Sequence, residues 1–235
     1  MDEQLAVSKV TKWPQPWPIE KLIARLESGS ELHRLIRERQ KIRGYDLREF
    51  MLERLAHGVM AEHFGAPNAF CRCTLGSLLG VRQTDFPYDR SPDVVIKDEA
   101  GRLHVCELKS NRTDYPRFDR VVAPEMKRYF EHIGHAFPPP WEVEQDLVKL
   151  HLYKDHSSMV GSCIFFMVDA YLGDQQPRWS DVFQDPKLFR NRMCTRLVQG
   201  WADELVSSTR VIPISTDGAA ARVIVCTVRA EEQKT

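Results

Sequence analysis

Between Ser91 and Ser110 the chain reads SPDVVIKDEAGRLHVCELKS, two apolar runs divided by a polar turn, and no other stretch restricts the fold so much. Val94, Val95 and Ile96 read as a short apolar strand, Asp98-Glu99-Ala100-Gly101 supply turn residues, and Leu103 to Ser110 read as a second strand. A turn centred there pairs residues whose numbers sum to about 199 or 200, which sets Asp93 opposite Cys106 or Glu107. Directly opposed side chains in such a ladder lie about 5 Å apart, and like charges at that spacing destabilise the pair. Glu107 and Lys109 are two apart and project from one face of their strand. Two carboxylates and an ammonium are thus drawn into one patch of an apolar hairpin, where charge is expensive to bury.

The simplest compensation is a divalent cation between the carboxylates. Two carboxylates and a backbone carbonyl suit Mg²⁺, a hard ion that keeps several of its waters. An ion so placed activates a water and stabilises charge on a reacting phosphate. Lys109 would orient or deprotonate that water, or neutralise the developing charge. The alternative is a salt bridge between Lys109 and the carboxylates with no chemistry attached. The acid-x-Lys spacing occurs at Glu107–Lys109, Glu125–Lys127 and Asp185–Lys187, and again at Glu232–Lys234 in the polar carboxy-terminal tail, so spacing alone decides nothing. Glu125 follows Pro124 at a predicted helix start, where an acid complements the helix dipole. Asp185 and Lys187 flank Pro186 in a turn, which leaves Glu107 and Lys109 as the pair set in an apolar strand.

Around the hairpin, periodicity predicts short helices over Ile19–Leu26 and Glu31–Arg43, the second capped by Ser30. Asp46 is the expected cap of a longer helix running to Phe64, marked by Leu47, Phe50, Met51, Leu55 and Val59. A strand over 70–75 and a polar loop over 76–90 precede the hairpin. After it come predicted helices over 124–134 and 143–156, a buried strand over 161–170, a helix over 187–206, and strands over 211–214 and 223–228. Strands and helices intermixed in this way point to an α/β fold with a mixed sheet.

Pro92-Asp93, thirteen residues, then Glu107-Leu108-Lys109 resembles the signature of the PD-(D/E)xK nuclease superfamily. The resemblance spans about residues 46–170, taken as a nuclease core, between an amino-terminal extension (1–45, a Pro-rich arm and helices) and a carboxy-terminal one (171–235). It implies a restriction-endonuclease-like mixed β-sheet flanked by helices. It also implies that Asp93 and Glu107 are metal ligands, with the Leu108 carbonyl beside them, and that Lys109 is the catalytic lysine. Similar proteins add a glutamate from the first core helix. Glu53 is the choice here over Glu49 and Glu62. The implied cofactor is Mg²⁺, with Mn²⁺ as a substitute, and the implied reaction is phosphodiester hydrolysis in double-stranded DNA, of a restriction, phage-defence or DNA-processing type. Homodimers are common among similar nucleases, and 171–235 could supply such an interface. The rival expectations are a silent binding or scaffold protein on the same fold, and an RNA-directed nuclease.

Candidate nucleic-acid contacts are Ser110, Asn111 and Arg112 after the lysine, Arg117 further along that loop, and Arg190 and Arg192 in an acid-free basic run. The 235 residues suggest one domain with an elaboration. Lys plus Arg number 33 against 33 Asp plus Glu, and net neutrality argues at first against a nucleic-acid binder. The sum misleads if some acids belong to a metal site, whose cation reverses their local charge. The longest apolar run, Cys163–Val168, is too short to span a bilayer, and the amino terminus lacks a signal-like apolar stretch. Of six cysteines, Cys106, Cys163 and Cys226 sit in apolar runs and read as reduced core residues of a cytoplasmic protein.

Overall fold

Strand residues alternate between the two sides of a sheet, so a strand apolar at every position must be covered on both faces. The run Cys163–Val168 within the strand Val160–Tyr171 is of that kind, and the strand lies inside a six-stranded sheet with helices on either side. The computed structural model of the chain describes residues 17–38, 41–42, 45–80, 91–110, 142–171, 206–216 and 219–228. In chain order the elements are α1 (Ile19–Ser28), α2 (Glu31–Arg37), β1 (Lys41–Ile42), β2 (Tyr45–Asp46), α3 (Leu47–Phe64), β3 (Ala69–Cys71) and α4 (Leu75–Leu79). They continue with β4 (Val94–Lys97), β5 (Leu103–Ser110), α5 (Glu142–His156), β6 (Val160–Tyr171), β7 (Val206–Thr216) and β8 (Ala219–Val228). β1 and β2 form a small hairpin of their own. The main sheet runs β3-β4-β5-β6-β8-β7. All neighbours are antiparallel except β5 and β6, whose parallel pairing obliges the intervening chain, α5 included, to cross back over the sheet.

The two faces have separate cores. Val95, Leu103, Val105, Cys163, Phe165, Met167, Ile224 and Cys226 bury against Val143, Leu147, Leu150 and Tyr153 of α5. The alternate residues Val94, Ile96, Cys106, Leu108, Ile164, Phe166, Val168, Val223 and Val225 bury against α1, α2 and α3. Each fully buried Leu, Ile or Phe contributes about 1.5–3 kcal/mol, so the apolar faces dominate the stabilising side of the balance. Cys106, Cys163 and Cys226 are all buried in these cores. No described helix is long and apolar enough to cross a membrane.

The fold is mixed α/β with helices flanking the sheet, as the sequence led us to expect, and several boundaries move. The expected helix over 31–43 ends at Arg37, because Lys41 and Ile42 pair with Asp46 and Tyr45 instead. The Ser30 side chain makes no capping hydrogen bond. The expected strand over 70–75 stops at Cys71, and the loop expected after it begins with α4. Thr74 caps α4 by accepting from the Ser77 N–H at 3.3 Å, and Gly80 closes it in a left-handed conformation. The helices expected over 124–134 and 187–206 lie outside the described residues, except Val206, which opens β7 instead of ending a helix.

One polar cluster ties the hairpin turn to β6 and to Trp17, which precedes α1. The Ser162 N–H donates to His104 Nδ1 at 3.1 Å, so the neutral ring carries its proton on Nε2 and donates it to Asp98 Oδ2 at 3.1 Å. Trp17 Nε1 donates to the Ser162 hydroxyl at 2.8 Å. Burial opposes charge on Asp98, but hydrogen bonds from His104 and Arg102 outweigh it and hold the carboxyl down to about 2. Burial pushes the His104 pKa below its ordinary 6.5, Asp98 opposing. The unfolded chain therefore takes up a proton here before the folded one does, and stability is lost as pH falls below 6.5. Urea unfolding at about pH 7.5 and about pH 5 should show this loss, and His104→Asn should remove part of the slope. A Cβ on Gly161 would press directly into the His104 ring at Cε1. Gly161→Ala is thus expected to destabilise the protein by about 1–3 kcal/mol in the same assay.

Candidate functional site

β4 and β5 pair in the register Val94↔Cys106, Val95↔Val105, Ile96↔His104, in which partner numbers sum to 200. One step beyond the ladder, the same register sets Asp93 opposite Glu107. Asp93 lies just before β4, and its Oδ2 accepts from the Leu108 N–H at 2.7 Å, which holds the carboxylate against β5. Glu107 continues the row of Leu103 and Val105 and therefore faces α5. It is only 2% exposed. The ammonium of Lys149 on α5 ion-pairs with its Oε1 and also lies 5.9 Å from the Tyr153 ring centroid. Burial raises the Glu107 pKa well above the usual carboxylate range, Lys149 pulls it down, and Asp93 and Asp146 push it up again.

Lys109 is held between the helical layers. Its Nζ is 3.1 Å from Asp146 Oδ2 on α5 and 3.5 Å from Glu49 Oε1 on α3. Glu53, one turn after Glu49 on α3, is buried and receives the fork of Arg72, with Nε at 2.5 Å from Oε2 and Nη2 at 2.7 Å from Oε1. Burial raises the Glu53 pKa, the Arg72 hydrogen bond opposes, and Asp93 and Glu49 add repulsion. Arg72 follows β3 with φ at +53, a left-handed backbone that is uncommon outside glycine, and its N–H donates to the Asp93 carbonyl at 3.3 Å.

The result is a line of mutually repelling carboxylates, Glu53, Asp93, Glu107 and Asp146, with Arg72, Lys109 and Lys149 set among them. Asp93, Glu107, Lys109 and Glu53 are brought together here, and so is Glu49. Glu62 lies apart on the exposed side of α3, paired with Arg25 at 2.8 Å. Ser110 is buried, and its hydroxyl makes no hydrogen bond among the described residues. Asn111, Arg112, Arg117, Arg190 and Arg192 lie outside the described residues.

Sequence reasoning missed Arg72, Asp146 and Lys149. The two helical residues had a signal. Val143, Leu147, Leu150 and Tyr153 mark the buried stripe of α5, and Asp146 and Lys149 sit immediately before Leu147 and Leu150. Charges beside a buried stripe need partners on the surface they face. Arg72 had no such signal, since its placement depends on a backbone kink between two cysteines.

Asp93 and Glu107 with the Leu108 carbonyl make an all-oxygen donor set that fits Mg²⁺. Among the described residues no three His, Cys, Asp or Glu side chains group closely enough to hold a metal ion. Mg²⁺ takes only one or two carboxylates from protein, a number that the Asp93–Glu107 pair supplies. Compared with family models, curated proteins and solved structures, the chain has no match in any of the three. Lys149→Met should lower stability by about 3–5 kcal/mol in urea unfolding, because it strands a buried carboxylate. Adding Glu107→Gln to that variant should recover part of the loss.

Proposed function

We propose that the protein is a Mg²⁺-dependent nuclease of the PD-(D/E)xK kind that hydrolyses phosphodiester bonds in double-stranded DNA. The observation that carries this reading is the juxtaposition of Asp93 and Glu107 beside Lys109, inside a sheet whose neighbouring positions are apolar. Replacing a buried ion pair by well-packed apolar residues is often neutral or stabilising, so a cluster of this size is costly as mere scaffolding. Perturbed titratable groups gathered in one place are a mark of functional sites. The element order supports the same reading: a helix, three antiparallel strands, a crossover containing a helix, and a parallel strand.

In this reading Asp93, Glu107 and the Leu108 carbonyl would hold Mg²⁺, or Mn²⁺ in its place. Such an ion, when bound, supplies a Lewis acid and an acidified water. Lys109, held by Asp146 and Glu49, directs a positive charge to where the attacking water and the phosphate meet. Glu53 adds negative charge next to Asp93, tempered by Arg72. Lys149 balances Glu107 and opposes the rise that burial imposes on its pKa. The buried thiols of Cys106, Cys163 and Cys226 suit a reducing, cytoplasmic setting.

One observation favours a second reading. Glu107 is satisfied by Lys149 within the chain itself, which is also how a silent binding protein on this fold would keep the residue. Cleavage separates the two. With supercoiled plasmid and Mg²⁺ or Mn²⁺, the wild type should nick or linearise DNA. Asp93→Ala, Glu107→Ala and Lys109→Ala should each lower the rate by about 10² or more. Undiminished cleavage by Asp93→Ala and Lys109→Ala would overturn the assignment. Preference for an RNA or single-stranded substrate in parallel reactions would move the substrate class.

A further inference from the structure

Phe50 stands on α3 between Glu49, which faces Lys109, and Glu53, one turn further on. Its ring is 40% exposed, one of two such large apolar side chains among the described residues. Two guanidinium groups lie against that ring. Arg54, four residues on along the helix, is 5.8 Å from its centroid, and Arg72 is 5.7 Å away. Arg72 arrives from the end of β3, in the left-handed conformation held by the Asp93 carbonyl. Its Nε and Nη2 edge is given to Glu53, yet its side chain remains 40% exposed. Arg54 is exposed and makes no ion pair among the described residues.

These features combine into something a helix surface does not need for folding. An exposed aromatic ring holds planar cations in place by cation–π attraction, so less side-chain entropy is lost when they bind a ligand. A guanidinium fork matches phosphate oxygens in pairs, and it is weakly hydrated compared with an ammonium. Strained backbone at Arg72 places one of these forks at the boundary between the carboxylate cluster and the surface.

We propose that Arg54 and Arg72, held against Phe50, form a phosphate clamp for the substrate strand beside the Asp93–Glu107 site. The clamp rests on the nuclease reading above and adds to it the residues that grip the backbone. Its ligand is the phosphodiester chain flanking the cut. Glu53 and Asp93 act on Arg72 from its buried side, so a bound phosphate stays on the exposed arginine side and is kept off the carboxylates. Phe50 and Arg54 also line a groove of about 440 Å³ between α2 and α3, whose rim carries Arg34 with Glu31 and Glu38. One arginine against two glutamates leaves the rim net negative, which repels phosphate, and the clamp therefore ends at Arg54.

The test is fluorescence anisotropy of a labelled short DNA duplex with the full chain, in EDTA so that nothing is cut. Affinity is followed from about 50 to about 200 mM salt, the range over which phosphate contacts weaken strongly. Arg54→Gln and Arg72→Gln should each lower the slope of log affinity against log salt by about 0.9, the value for one lost phosphate contact. Phe50→Ala should weaken binding while changing no charge. Arg72→Gln strands the Glu53 carboxylate and can unfold the chain, so Arg54→Gln and Phe50→Ala, at exposed positions, keep the test decisive. Wild-type affinity and slope in both of these would overturn the clamp. If cleavage still needs Asp93 and Lys109 in that case, the nuclease reading survives the clamp's failure. A wild type that neither binds nor cuts nucleic acid removes both. The same losses on an RNA duplex bound more tightly than DNA would support the clamp and change only the substrate.

Discussion

A carboxylate carried into the middle of a sheet must be met by something, and Glu107 organises much of the molecule around that demand. Its position in the row of Leu103 and Val105 turns it toward α5, so the helix can dock only if it brings a cation to this spot. Lys149 is that cation. Lysine and carboxylate together lose most of their hydration, and their attraction repays the loss only with good geometry and added partners. Asp93 and Asp146 make matters harder by repelling Glu107 from two sides. The cluster survives because two apolar cores, one on each face of the sheet, enclose it.

The same arrangement explains why the site is spread over so many elements. Each acid needs a base, and each base is delivered by a different segment: Arg72 from the end of β3, Lys109 from β5, Lys149 from α5. Removing any one leaves a buried charge behind. Such interlocking makes the groups depend on one another, so their single-variant effects will not add. It also holds the side chains in place before a ligand arrives, which is what catalysis by fixed charges requires.

The hairpin was legible because three signals coincide there: apolar runs of strand length, turn residues between them, and a period of two. The bounds of β5 follow from those alone, and they set Asp93 opposite Cys106 or Glu107, between which the register chooses Glu107. The α5 helix was equally plain from Leu147, Leu150 and Tyr153. By contrast, Thr74-Leu75-Gly76-Ser77-Leu78-Leu79-Gly80 holds a capped helix too short for its periodicity to register, although Thr74 and Gly80 were fair signals for its two ends. Arg37 ends its helix because a pairing between β1 and β2 competes, and propensity within one segment does not report on such a partner. The site was legible where its residues share a strand, as Glu107 and Lys109 do. It was not where the residues meet through tertiary packing, as Asp146, Lys149 and Arg72 do.

Among the described residues, neither outer strand of the sheet presents a long, unbroken row of peptide donors. β3 is only three residues long, and β7, at the opposite end, carries Pro213 within it and exposed Ser207, Ser208 and Thr209 along it. A short strand offers few unpaired peptide groups, and a proline removes a donor from the row. Edges finished in this way are poor templates for adding a strand from another chain, so the sheet is guarded against growing into an aggregate. A long parallel pairing such as β5 with β6, which must wait for about fifty residues to be made and folded back, is slow to form and leaves edges open meanwhile. The blunt ends of β3 and β7 are the protection that so late a centre calls for.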